Sequence, residues 1–169
     1  MNFKIYHFKK IQSTNNHAIK MIKNNHLKGI ILADEQTKGR GRQGNKWISL
    51  KGNLFMSLFF KIKQNVSIKR ITIKNTGKIK KVLQRFCKKK IFIKLPNDFL
   101  IEKKKICGIL QETIFHNNQK FLIIGIGANI KKSPKILGYP TSHLEAYSSK
   151  KINKLTICRC IKKEYEKKN

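Results

Sequence analysis

The apolar positions follow two rhythms, alternation and a spacing of three to four, which take turns along the chain. Phe3 to Phe8 alternates apolar and polar residues, the period of a half-buried strand. Ser13 or Thr14 then offers an N-cap for a helix that turns Ala18, Ile19 and Ile22 inward, with Leu27 as a further inward candidate. Gly29 to Glu35 is a second strand. Asn53 to Phe60 is apolar on both faces, which predicts a central strand. Ile68, Ile71, Asn75, Ile79, Val82, Leu83 and Phe86 fall at helical spacing between Ser67 and Lys88, a long amphipathic helix with Ser67 as its cap. Ile91 to Ile93 returns as a strand and runs into Lys94-Leu95-Pro96-Asn97-Asp98, whose last three residues favour a turn. A hairpin at Glu102 to Lys104 leads to a strand from Lys105 to Glu112. After a turn at His116 to Asn118, Phe121 to Ile130 forms the last core strand. A short helix begins within Tyr139 to Leu144, and Lys154 to Lys168 forms a final helix with Leu155, Cys158, Ile161 and Tyr165 on one side.

Composition narrows the class. With 169 residues, 40% of them apolar, the chain suits one domain with a real core, and no interior boundary or repeat interrupts it. The longest apolar runs fall well short of the ~20 residues a membrane helix needs. The N-terminus has no hydrophobic stretch followed by a small-residue cleavage site, so a cytoplasmic protein is expected. Cys87, Cys107, Cys158 and Cys160 show no metal-ligand spacing and are expected to be reduced thiols. A net charge of +31 would ordinarily point to nucleic acid. The lysines are spread over the whole chain, however, and isoleucine and asparagine are abundant too, which is what a biased base composition produces. Diffuse charge of this kind still steers an acidic protein partner.

Chemistry concentrates between Asp34 and Trp47. Gly39, Gly41 and Gly44 allow positive φ and close ligand approach, so their backbone amides could line an anion nest, while Arg40 and Arg42 add forked donors. Trp47 offers a flat face on which an adenine could stack. A flexible basic loop, or an arginine-glycine segment touching RNA, is the plain alternative. Lys94-Leu95-Pro96-Asn97-Asp98 by itself is only a turn, and Lys105 by itself only another lysine in a basic hairpin. Gly125 and Gly127, two apart on a strand, leave one face bare, as a sheet does to receive a flat ligand.

Together these stretches resemble the biotin protein ligases. GRGRQGNKW, with Gln36-Thr37-Lys38 before it, is similar to the family's QxxGRGRxGxxW loop; KLPND resembles KWPND; KICGILQE resembles KxxGILxE; and GIGAN resembles GIGxN. Ser13-Thr14-Asn15 matches the family's STN, and Tyr139 to Leu144 its PATSL segment. The motifs appear in family order over nearly the whole chain. Leu95 departs from the usual tryptophan: it keeps an apolar wall and loses an aromatic face.

The resemblance implies an α+β fold, a mixed and mostly antiparallel sheet backed by helices, like the catalytic cores of class II aminoacyl-tRNA synthetases. It implies one catalytic domain over 1–169, with neither the N-terminal DNA-binding domain nor the C-terminal β-barrel of many relatives. Biotin would be bound by Ser13, Thr14, Asn15, Gln36, Gly39, Arg40, Gly41, Arg42, Lys105 and Gly108, and the nucleotide by Arg40, Arg42, Trp47, Lys94, Asn97, Asp98 and Asn129. Arg42, Lys94 and Lys105 would be catalytic, Asp98 would meet Mg²⁺, and Glu112 is a candidate partner for a cation. ATP and biotin would give biotinyl-adenylate, and a lysine on the biotin carboxyl carrier domain of an acyl-CoA carboxylase would then take the biotin. The protein would be a monomer or weak homodimer without nucleic-acid partners. A lipoate or octanoate ligase is the nearest enzymatic alternative, and a basic nucleic-acid-binding protein the alternative outside enzymes.

Overall fold

A computed structural model describes residues 2–167. Seven strands form one mixed sheet: β1 (Ile5–Ile11), β2 (Lys28–Gln36), β3 (Leu54–Ile62), β4 (Phe92–Lys94), β5 (Asp98–Ile101), β6 (Lys104–His116) and β7 (Gln119–Ala128). Their order is β1-β2-β3-β7-β6-β5-β4, antiparallel throughout except for the parallel β1–β2 pair. Three helices cover it, α1 (Thr14–Lys23), α2 (Ile68–Gln84) and α3 (Lys154–Glu166).

Alternation divides the apolar strand residues between two faces. Ile30, Leu32, Leu54, Met56, Leu58, Leu122, Ile124 and Ile126 join Ile79, Val82 and Leu83 of α2 and Ile157, Cys158 and Ile161 of α3 in the main core. Ile31, Phe59, Phe121 and Ile123 point the other way, onto Ala18 and Ile22 of α1. On that second face the apolar row gives out: Ile123 is followed at two-residue steps by Gly125 and Gly127, and Phe59 is preceded by Ser57. Burial elsewhere builds the domain; here the missing side chains leave room for a site.

Several boundaries differ from the sequence reading. β1 begins at Ile5, two residues late, while Phe3 is already buried and its backbone N–H is held by Glu166 at 2.7 Å. Ser13, not Thr14, caps α1, and Leu27 lies beyond the helix, 57% exposed. α2 stops at Gln84, four residues short of Lys88, because the Gln84 amide turns back to the Cys87 and Lys89 carbonyls and the Lys88 N–H is taken by Tyr147. The 139–143 stretch is not helical; a single 3₁₀ turn follows at Leu144–Tyr147. The last predicted helical residue, Lys168, lies outside the described residues. All four cysteines are free thiols, and burial pushes the Cys158 thiol up to about 11. No helix among the described residues is long and apolar enough to cross a membrane.

Candidate active site

The glycine face of the sheet opens into a cavity of about 430 Å³. Register explains its layout. Ser57 on β3 pairs with Gly125 on β7, which pairs with Leu110 on β6; one step along, Phe55, Gly127, Gly108 and Asp98 stand side by side across four strands. Each row is a shelf of backbone with side chains only at its ends.

Over the first row sits the start of α1. The Asn15 amide occupies the place of a side chain at Gly125, where a Cβ would lie 2.9 Å from Asn15 Cγ. Ser57 Oγ donates to Asn15 Oδ1 at 2.5 Å and lies 2.8 Å from Thr14 Oγ1. Both the backbone N–H and the hydroxyl of Thr14 donate to Gln36 Oε1, at 2.8 and 3.1 Å, and Gln36 Nε2 donates to Ser49 Oγ at 3.2 Å. Thr14, Asn15 and Ser57 are buried and Gln36 and Ser49 half-buried, and all are hydrogen-bonded to one another, as buried polar groups must be. The Ser13 hydroxyl, which caps α1, lines the same cavity.

Over the second row lies Trp47. A Cβ at Gly127 would meet the indole at 2.7 Å from Cζ2, and one at Gly108 would lie 2.9 Å from Cζ3. The bare face expected at Gly125 and Gly127 is therefore filled by the chain's own Asn15 and Trp47. Trp47 Nε1 is buried without a hydrogen-bond partner, a cost that such a group bears unless something else meets it.

The glycine-arginine loop departs most from expectation. It is a tight hairpin: Trp47 N–H donates to Gly39 O at 2.9 Å, Gly41 N–H to Asn45 O at 2.6 Å, and Arg40 bridges Lys46. Positive φ occurs at Gln43 (52°) and Gly44 (77°), not at Gly39 or Gly41; Gly41 has an ordinary φ of −109°. The amides of Gly41, Asn45 and Trp47 are consumed within the hairpin and are not free to line a nest. Gly39 is needed for closeness, since a Cβ there would lie 2.5 Å from the Trp47 carbonyl oxygen. What the loop presents is side chains. Arg42 Nη1 donates to Asn97 Oδ1 at 3.0 Å, and Arg40 is tied to Glu112 and to Asn16 Oδ1, the latter at 2.8 Å. Glu112 is paired with the guanidinium of Arg40.

At the far end of the second row, Lys105 Nζ pairs with Asp98 Oδ1 at 2.9 Å, both side chains being largely buried. A bulge puts it there. β5 pairs Phe99 with Cys107 and Leu100 with Lys105, so Ile106 is the extra residue, and the alternation of β6 resets. Ile106 and Cys107 both face the core, leaving Lys105 on the same side as Gly108. Asn97 Nδ2 donates to Asp98 Oδ1 at 2.8 Å, and the Tyr139 hydroxyl donates to Oδ2 at 2.6 Å. Burial, with the hydrogen bond and charge of Asp98, pushes the Tyr139 phenol up to about 12.

Three expected residues stand apart. Asn129 is buried behind the sheet's end, bonded to Asn53 and to the Ser142 carbonyl, and does not line the cavity; the next turn of chain takes its side chain before a nucleotide could. Lys94 lies at the rim, its Nζ 5.8 Å from the Tyr139 ring centre, and Gly39 supports Trp47 from outside. Leu95 is 65% exposed and forms no wall. The sequence reading passed over Ser57 as one more member of an apolar strand and took Tyr139 for a helix start. A lone polar residue in an apolar run was the available signal for the first; for the second there was none.

Residues 7–129 match the biotin/lipoate A/B protein ligase family. The chain belongs to this family. The chain is 30% identical to the bifunctional ligase/repressor BirA of Bacillus spizizenii over 92% of its own length and 51% of that protein's, and 33% identical to BirA of Bacillus subtilis over 77% and 41%. It thus spans about half the length of the curated relatives it matches. Among solved structures, biotin protein ligase from Aquifex aeolicus in complex with biotin and ATP superposes with a TM-score of 0.81 and 25% identity, covering 95% of this chain and 68% of that one. The Leishmania major biotin protein ligase in complex with biotinyl-5-AMP also gives 0.81, at 23% identity, over 95% and 72%. As a family member, the chain has the catalytic fold of the biotin protein ligases.

Proposed function

We propose that the protein activates biotin with ATP and transfers it to a lysine of a biotin carboxyl carrier protein. One observation carries this: a hydrogen-bonding cluster of Thr14, Asn15 and Gln36 and a charged cluster of Lys105, Asp98, Asn97 and Arg42 lie on adjacent glycine rows of one cavity. The first suits a ureido ring, which both donates and accepts. The second suits the place where a carboxylate meets a phosphate, because fixed donors there stabilise charge as it develops. The valerate chain would run past Trp47, from one cluster to the other.

A biotin carboxylate oxygen attacks the α-phosphorus of ATP, forming the acyl phosphate bond as pyrophosphate leaves. The amine of the carrier lysine then attacks the acyl carbon, giving an amide and releasing AMP. Arg42, which has no carboxylate partner among the described residues, and Lys105 neutralise the anions. Lys94 at the rim serves the outgoing phosphates, and Arg40, held by Glu112, fixes the loop. No group of three or more metal-binding side chains exists among the described residues, but magnesium is commonly held by one or two carboxylates plus substrate phosphates. Asp98 fits that role as the cavity's carboxylate, and Mg²⁺ arriving with ATP would neutralise phosphate charge. We infer that the protein works in the cytoplasm, where ATP and carrier proteins are at hand.

Biotin-dependent exchange of pyrophosphate into ATP tests the reading. Exchange with biotin, abolished in Lys105→Ala, is expected; its absence at saturating biotin and ATP-Mg²⁺ would refute it. Lipoate should support little exchange, since its dithiolane ring offers nothing to Thr14, Asn15 and Gln36.

A further inference from the structure

Tyr139 stands just ahead of Pro140-Thr141-Ser142, and three contacts tie it to the charged end of the cavity. Its hydroxyl holds Asp98 Oδ2 at 2.6 Å while Lys105 holds Oδ1 of the same carboxylate at 2.9 Å. Its ring centre is 5.3 Å from Lys105 Nζ and 5.8 Å from Lys94 Nζ, within range of a cation over an aromatic face. The chain just after it clips both backbone groups of Lys105: the Lys105 N–H donates to Pro140 O, and Ser142 N–H to Lys105 O, each at 2.9 Å.

How Tyr139 comes to be there is local. Ile136 to Tyr139 makes a turn closed by Tyr139 N–H on Ile136 O at 3.3 Å, with Gly138 at φ 72°, where only glycine is unstrained. The turn exposes Leu137 fully and rolls Tyr139 inward onto the cavity. Because the clip joins this segment to the β6 bulge, Tyr139 and Lys105 are fixed to each other through the backbone as well as through Asp98.

We infer that Tyr139 is a positioning residue for the adenylation step, holding the Asp98 carboxylate in the orientation that keeps the Lys105 ammonium at the junction of carboxylate and phosphate. A carboxylate held at one oxygen only can rotate about its bond to Cβ; held at both, it presents Oδ1 in one direction. Asn97 adds a second donor to Oδ1 and none to Oδ2, so Tyr139 is the side chain that fixes the other oxygen. It touches no reacting atom; its effect passes through Asp98.

The inference rests on the ligase reading for what Lys105 does, but not for how Lys105 is held, and the test separates the two. Tyr139→Phe removes the hydroxyl and keeps the ring. Reaction of Lys105 with an acylating reagent, measured by peptide mass spectrometry against the other lysines, is expected to quicken about threefold or more as the ammonium is released. Asp98→Asn should quicken it likewise. In pyrophosphate exchange, Tyr139→Phe should lower kcat about tenfold with a much smaller change in KM for biotin. The thermal midpoint should stay near that of the parent protein. Unchanged or slower labelling of Lys105 in Tyr139→Phe overturns the inference, as does an unchanged kcat beside an active parent. If the parent shows no exchange but the labelling responds, the ligase reading fails and the Tyr139–Asp98–Lys105 contact stands.

Discussion

Arg40 and Glu112 form the one ion pair among the described residues that joins the glycine-arginine hairpin to the sheet beneath it, Arg40 Nη2 donating to Glu112 Oε1. Glu112 is shared, since its Oε2 accepts from Asn15 Nδ2 at 2.6 Å, and Asn15 continues through Ser57 to Thr14 and Gln36. The loop is thereby wired to the hydrogen-bonding end of the cavity. Glu112→Gln keeps the shape and removes the charge, and should weaken biotin binding about three- to tenfold. Global stability should fall by under ~1 kcal/mol, because both side chains are partly exposed and screened. Calorimetric titration of biotin, alongside thermal melting, checks both; unchanged affinity would show that the loop is held by other means.

Trp47 lies over the Gly127–Gly108 row, and it is the chain's single tryptophan. Gly127→Ala places a methyl within the indole at a position paired on both sides by β3 and β6, where the backbone has little freedom to yield. The expected result is expulsion of the ring, seen as a red-shifted fluorescence maximum, with about 1–3 kcal/mol of strain if the ring stays. An unshifted spectrum and undiminished stability would contradict the packing.

Within the hairpin, Gly44 rather than Gly41 is the conformationally demanding glycine. Gly44→Val should cost about 1–2 kcal/mol of loop order, as a branched side chain at φ 77° must be strained. Gly41→Ala, at an ordinary φ with 3.2 Å to the Asn45 carbonyl oxygen, should cost less than ~1 kcal/mol. Biotin affinity of the two variants ranks them, and the opposite order would refute the hairpin geometry.

Asp34 on β2 anchors β1 and the start of α3, accepting from Lys154 Nζ at 2.6 Å and lying 2.8 Å from His7 Nε2. Burial raises its pKa, but the hydrogen bonds and charges of Lys154 and His7 outweigh this and hold it below the ordinary 3.8. The unfolded chain therefore binds the proton more readily. Asp34 contributes stability that is fully present above about 3.8 and is lost as pH falls through the lower folded value. The melting-temperature advantage of the parent over Asp34→Asn should be largest near neutrality and shrink toward about pH 3. A gap that does not narrow would contradict the assignment.

The elements of this protein were legible because period and length fix them. Phe59 and Phe121 with Ile123 betray a strand face, Ile79, Val82 and Leu83 a helix stripe, and Ser13 and Ser67 their caps. The family motifs identified most of the residues around the cavity, since backbone windows and forked donors leave a trace in residue type: glycines at 108, 125 and 127, arginines at 40 and 42. What only the tertiary structure decided are relations between residues far apart in sequence. Whether Lys105 points to the cavity depends on a one-residue bulge opposite Leu100, and whether Gly127 receives a ligand or an indole depends on where a hairpin 80 residues earlier closes. Asn129 and Tyr139 exchanged their expected places for the same reason. A polar side chain bonds to whichever partner the fold brings within hydrogen-bonding distance, and Asn129 was brought to Asn53 and Ser142, Tyr139 to Asp98.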